Sequence, residues 1–498
     1  MTTIALAVWP LVTLLLVLLL PFPKAVALSI LGGFFLLPPD IGINLPLLPT
    51  FNKASVPALS LLVCALLLYR RGDRNGVPVR DMPGWIPRSF FGTAGIVMLV
   101  LGAMMTALTN GDRLVFGSTV LPPLRLYDGF SFALVGLTMV VPLLLGRKFF
   151  AHPENQVLLL RYLIVGGLAY SLLALYEIRM SPQLNRMVYG FYPSSWVQNI
   201  RGGGFRPIVF MEHGLQLAIF LAAVTLAAFG ASRCLEPRRR GFYLFAGAWL
   251  LVTLVLANSL GALVIAVVFL PVVLLLGTRA QLLFAAIVAA IIMLYPMLRG
   301  ADLIPTDRLV SITETIDTRR AGSLQYRFDN EDILLARAQE RPLFGWGGWR
   351  RNRVFDDTGN DISTTDGAWV VAIGQRGWVG YLAQFGLLAL PVVLLAFNRR
   401  RQGVSPVTAV LAVILAASLV DLIPNGFLSP VTMLLAGALW GRLELGAAAE
   451  TADEAVKAPA ARIGYARAVS PAETSDENQE SRPYTRQEVR HRRVRRSS

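Results

Sequence analysis

Glu212, His213 and Asp366 are the residues placed to move a proton, and Arg201, Arg206, Arg327 and Arg341 are those placed to hold a phosphate or carboxylate. An imidazole serves as a base near neutral pH, and a carboxylate does so when partly desolvated. Arginine binds such anions bidentately through its planar fork. Arg201 and Arg206 flank the triplet Gly202-Gly203-Gly204, where missing side chains let backbone come close to a ligand. Glu212-His213 opens the next apolar run, beside the N–H groups that a helix start leaves unpaired. Arg327 and Arg341 belong to a helical stretch, 326–342, followed by the aromatic and glycine turn Phe344-Gly345-Trp346-Gly347-Gly348-Trp349. Its tryptophans suit stacking on sugar rings or an interfacial aromatic belt. Taken singly, each feature is also what a turn, a helix start or a solvated helix face would show.

These residues are embedded in a chain of 498 residues, 55% hydrophobic and only 15% charged, with a mean hydropathy of +0.57. A soluble domain carries about 25% charge, so a soluble enzyme is excluded. Apolar runs recur from 4–20 to 427–445 and make 12 or 13 spans, since about 20 helical residues cross the hydrocarbon layer. The runs do not alternate in polarity as barrel strands would. The predicted fold is therefore an all-α, polytopic transmembrane protein. The chain starts without the basic segment of a cleavable signal, so the first run is read as a retained span.

Arg70-Arg71, Arg147-Lys148, Arg238-Arg239-Arg240, Arg279 and Arg399-Arg400-Arg401 fall on one side when the spans alternate. By the positive-inside bias that side is cytoplasmic. Two segments then face outward, about 177–212 and a long loop with short helices at about 299–370. Residues 1–445 form the membrane domain, and 446–498 a disordered, basic cytoplasmic tail suited to anionic lipid heads.

Much else is excluded. Cys64 lies in an apolar run and Cys234 in a basic loop, and the three histidines His152, His213 and His491 have no ligand partners at metal spacing. The net charge of +15 is accounted for by topology, not by nucleic acid. Few polar residues interrupt the spans, chiefly Arg161, Tyr170, Asn258 and Asp421. An ion-coupled transporter needs more.

Three stretches together resemble the O-antigen polymerase and ligase superfamily of bacterial membrane glycosyltransferases. They are Arg201-Gly-Gly-Gly-Phe205 ahead of a span, Arg327 ahead of an amphipathic helix ending Glu340-Arg341-Pro342-Leu-Phe-Gly345-Trp-Gly347, and Asp366-Gly-Ala-Trp369 leading to Gly377-Trp-Val-Gly380. They cover about 196–397. The resemblance implies transfer of a glycan from an undecaprenyl-diphosphate donor at the periplasmic face of the inner membrane, with no metal, nucleotide sugar or other cofactor. Arg201 or Arg206 and Arg327 become diphosphate ligands, with Arg341 a further candidate. Glu212, His213 or Asp366 becomes the base that frees an acceptor hydroxyl for inverting, in-line attack. Asp366 stands where ligases of the family use His, which favours polymerisation of O-antigen, capsule or exopolysaccharide repeat units. A ligase or protein O-oligosaccharyltransferase is the alternative, and a lipid-linked glycan flippase the reading from another class. Expected partners are the lipid-linked donor, a glycan acceptor, membrane lipids and a chain-length regulator.

Overall fold

The computed structural model describes residues 1–45, 48–69, 82, 84–201, 204–316, 318–398 and 404–457. The chain divides into two units, Met1–Ala452 and Asp453–Ser498. The arginines at 70–80 and 399–401 and the tail beyond 457 lie outside the described residues.

Each expected apolar run is occupied by a helix: α1 Thr2–Leu19, α2 Phe22–Leu36, α3 Ser55–Leu68, α4 Phe90–Leu108, α5 Leu126–Phe149, α6 Pro153–Met180, α8 Gly214–Cys234, α9 Arg240–Leu256, α10 Leu260–Leu275, α11 Thr278–Gly300, α14 Ala368–Phe397, α15 Pro406–Asp421 and α16 Pro430–Lys457. Among the described residues eight helices are long and apolar enough to cross a membrane, and α2, α3, α10 and α15 are shorter apolar helices. α16 runs past the expected boundary at 445. Three helices lie between spans: α7 Leu184–Tyr189, α12 Thr306–Ile316 and α13 Thr318–Gln339. The described elements also include two short 3-10 helices, Trp196–Asn199 and Pro237–Arg239, and three two-stranded hairpins, β1 Gly42–Ile43 with β2 Phe51–Asn52, β3 Leu114–Phe116 with β4 Thr119–Leu121, and β5 Ile200–Arg201 with β6 Gly204–Phe205.

Local chemistry marks the helix ends. Pro153 starts α6 with Glu154 in its first turn and Arg179 in its last, matching the helix dipole. Ser405 caps α15 by accepting the Thr408 N–H. In lipid the spans gain little from hydrophobicity against one another and pack through small residues. Gly146 of α5 lies against the backbone of Leu434 and Ala438 in α16, and a Cβ on Gly437 of α16 would stand 2.0 Å from the Leu143 carbonyl. Among the eight longer spans the most buried are α8 and α14, with 83% and 72% of their most apolar windows buried against 22% for α1.

Contacts sort the connections into two ends. At one, Lys53 donates to the Phe210 carbonyl, Arg206 to Asn258, Arg351 to Asp112 and Pro122, and Arg327 to Pro424. This end gathers the long connections 37–54, 109–125, 181–213, 301–367 and 422–429. At the other, Arg88 and Ser89 donate backbone N–H groups to Glu444, which pairs with Arg147 at 2.5 Å, and Arg161 pairs with Glu236.

Candidate active site

α13 positions Arg327 at a cavity of ≈ 260 Å³ whose wall includes Tyr295, Asn330, Glu331, Asp366 and Pro424. The guanidinium donates through Nη1 to the Pro424 carbonyl at 2.9 Å, and its Nε lies 3.7 Å from Asp366 Oδ2. Asp366 is carried by an extended segment that α13 holds in place. Asn330 Oδ1 accepts the Thr364 N–H at 2.7 Å, and Tyr326 and Thr364 share a hydroxyl bond of 2.7 Å. Behind it, the Ala368 N–H donates to Leu422 and Asn425 carbonyls at the start of α14.

One turn along α13 from Arg327, Glu331 faces the same cavity. Its Oε2 accepts from Tyr295 Oη at 3.2 Å and its Oε1 from Trp369 Nε1 at 3.3 Å. Burial pushes its carboxyl up to about 7, against the pull of those two bonds and of Arg299. Arg299 sits 3.8 Å from Glu331 but 2.6 Å from Asp332, so most of its charge is spent elsewhere.

A second cluster surrounds the entry to α8. Glu177 accepts the N–H groups of Leu184, Ile208 and Val209 at 2.9, 2.8 and 2.7 Å, and Tyr170 Oη accepts that of Phe210. These bonds hold Val209 at φ +57, a conformation that β-branched residues rarely adopt. The connection then presents Glu212 and His213. Glu212 shares its surroundings with Lys53 and Asp40: burial raises the Glu212 carboxyl, Lys53 opposes that, and burial pushes the Lys53 ammonium well below the usual lysine range. His213 caps α8, its Nδ1 accepting the Leu215 N–H at 3.1 Å, while its ring stacks on Phe427 at 5.7 Å. An accepting Nδ1 places the ring proton on Nε2, so in this arrangement the imidazole caps α8. Arg206 donates to Asn258 O and packs its stem on Gly214.

Connection 422–429 joins the two clusters, since Pro424 meets Arg327 and Phe427 meets His213. Arg341 belongs to neither. It pairs with Asp112 at 2.9 Å, and its guanidinium lies 4.4 Å from the Trp346 ring centroid while Arg337 lies 3.5 Å from it. The side chain of Arg201 and residues Gly202 and Gly203 lie outside the described residues.

The stretch Pro342–Gly347 has a distinct task. α14 breaks at Gly377, whose φ is +63 and ψ −168. The freed carbonyls of Gly374 and Gln375 accept from Trp346 and Gly347, and the N–H groups of Trp378 and Val379 donate to Pro342 and Leu343. Backbone freed by the break is thereby satisfied by protein, as the membrane interior requires.

The reading of the sequence missed Glu331, Lys53 and Glu177. Glu331 had a signal, its spacing of four from Arg327 on one helix. Lys53 had none.

Residues 245–385 match the family model described as O-Antigen ligase. No curated protein matches the chain. The matched stretch contains the lining of the Arg327 cavity except Ile423 and Pro424, together with the break at Gly377 and the segment that fills it, and does not reach Glu212 and His213. Members of that family are glycan-transferring membrane enzymes of the ligase and polymerase type, acting on lipid-linked glycans. This multi-pass membrane protein therefore carries an O-antigen ligase family domain over residues 245–385.

Proposed function

We propose that the protein polymerises undecaprenyl-diphosphate-linked repeat units into a surface or secreted polysaccharide at the periplasmic face of the inner membrane. The observation that carries this reading is Arg327 and Asp366, two residues of the family domain that lie 3.7 Å apart on one cavity. In the reaction the acceptor oxygen attacks the anomeric carbon of the donor glycan as the bond from that carbon to the diphosphate breaks. Arg327 neutralises the departing diphosphate, a charge-stabilising role worth most where water is excluded. Asp366 holds the guanidinium in place until the diphosphate takes it. The acceptor hydroxyl gives its proton to a base on the same cavity. An aspartate at 366, where ligases of the resembled superfamily use His, supports repeat-unit polymerisation over transfer to a lipid core.

Purified protein in proteoliposomes, given a lipid-diphosphate-linked repeat unit alone, is expected to yield a ladder of longer lipid-linked glycans. Transfer only after adding a lipid-core acceptor would make it a ligase. Movement of the intact lipid-linked unit between leaflets, with no new glycosidic bond, would make it a flippase.

A further inference from the structure

Two carboxylates line the Arg327 cavity, and their surroundings suit them to different tasks. Asp366 is 42% exposed at its side chain and lies against the guanidinium that the leaving diphosphate needs. Its Oδ2 is thus committed to positioning that guanidinium. Glu331 is 7% exposed, walled by α11 and α14, yet contributes to the cavity surface. Each of its oxygens accepts one neutral hydrogen bond, from Tyr295 Oη and Trp369 Nε1, which fixes the plane of the carboxyl and leaves a further lone pair on each oxygen.

We propose that Glu331 is the base that takes the acceptor proton. It rests on the glycan-transfer reading for the reaction and adds the proton's destination. The acceptor O–H bond breaks as its oxygen bonds to the anomeric carbon. The electron pair of the broken carbon–oxygen bond leaves with the diphosphate toward Arg327, and the proton passes to Glu331. Atoms and charge balance without any further reactant.

The charged and titratable groups facing Glu331 agree with this. From α11 come Tyr295 and Arg299, whose closer contact is Asp332; from α13 itself come Arg327, one turn back, and Asp332; from the segment before α14 comes Asp366. Burial outweighs the cations and pushes the carboxyl up to about 7, so it can hold a proton through the transfer and lose it near neutral pH. Because the base works deprotonated, kcat is expected to rise with pH through about 7.

The test compares wild type, Glu331→Gln, Glu331→Asp and Asp366→Asn in proteoliposomes. Binding of undecaprenyl diphosphate without glycan is measured beside transfer, and difference infrared spectra follow carboxyl protonation against pH. Glu331→Gln is expected to lower kcat roughly 100-fold or more, with KM and undecaprenyl diphosphate affinity near wild type and the acidic limb gone. Glu331→Asp should restore part of kcat. The infrared carboxyl band titrating near neutral pH should be present in wild type and missing in Glu331→Gln, a readout independent of turnover. If Glu331→Gln keeps kcat and its acidic limb while Asp366→Asn loses both, the assignment is overturned and glycan transfer stands. If wild type neither binds the lipid diphosphate nor transfers glycan, the reaction reading falls and the base falls with it.

Discussion

Arg327 and Arg341 lie on one stretch of sequence and have the same chemistry, yet they meet different neighbours. Arg327 spends one hydrogen bond on Pro424 and an ion pair on Asp366 at the edge of a cavity, contacts that an incoming diphosphate can replace. Arg341 is held between Asp112 and the Trp346 ring and closes a packing contact. Arg327→Lys keeps the charge and loses the fork, so kcat/KM for the lipid-linked donor should fall roughly 10- to 150-fold, the worth of a charge-assisted bond. Arg341→Ala should instead lower the thermal midpoint and leave undecaprenyl diphosphate affinity within about twofold, since exposed pairs and cation–π contacts are each worth about 1 kcal/mol. Equal loss of donor affinity in both would show that the two arginines share one anion. Which residues had the chemistry for such a role was legible from their types alone. Which arginine faces a cavity was not, because that depends on Pro424 and Asp112, which come from other parts of the chain. The same holds for His213, whose role as a cap follows from the backbone of Leu215 and from Phe427.

At the scale of elements, the arrangement most specific to this chain is the broken helix α14 with 342–347 laid into the break. A Cβ on Gly377 would stand 2.3 Å from the Leu343 carbonyl, and one on Gly345 2.5 Å from the Gly377 nitrogen, each at positive φ. Gly377→Ala or Gly345→Ala should therefore destabilise by at least about 1–3 kcal/mol from backbone strain alone. Gly111→Ala, with nothing within 4 Å of the added carbon, should melt like wild type. Because both glycines serve one contact, the double variant should lose less than the sum of the singles, a coupling that thermal melts of the four proteins would measure. Additive losses would mean that the break and the inserted segment are independent. The run from Pro342 to Gly347 was legible as a turn rich in glycine and aromatics. That its carbonyls and N–H groups substitute for helix bonds was not, since periodicity reports only bonds made within a helix.

The spans were the most legible feature of the whole molecule, because a bilayer demands long apolar runs and each run expected from hydropathy holds a helix. What joins the runs was hidden. Lys53, Glu177, Glu212 and Phe427 meet at one end although the chain separates them widely. Orientation links these two scales. The end with the Arg147–Glu444 pair carries Lys148, Arg233, Arg238, Arg239, Arg240 and Arg279 at its connections, whereas the other carries the long 301–367 connection and the Arg327 cavity. Arginines in short connections resist translocation, and long connections cross largely regardless of charge. The cavity end should then face the periplasm, where a glycan to be built into a surface polymer is delivered. Single cysteines at 357 and 238, both exposed, in a background lacking Cys64 and Cys234 provide the test. A membrane-impermeant thiol reagent applied to cells with a permeabilised outer membrane should label Asp357→Cys and reach Arg238→Cys only after the inner membrane is opened. The reverse pattern would place the cavity in the cytoplasm, where a nucleotide-sugar donor is at hand, and would remove the basis for a lipid-diphosphate substrate together with the orientation.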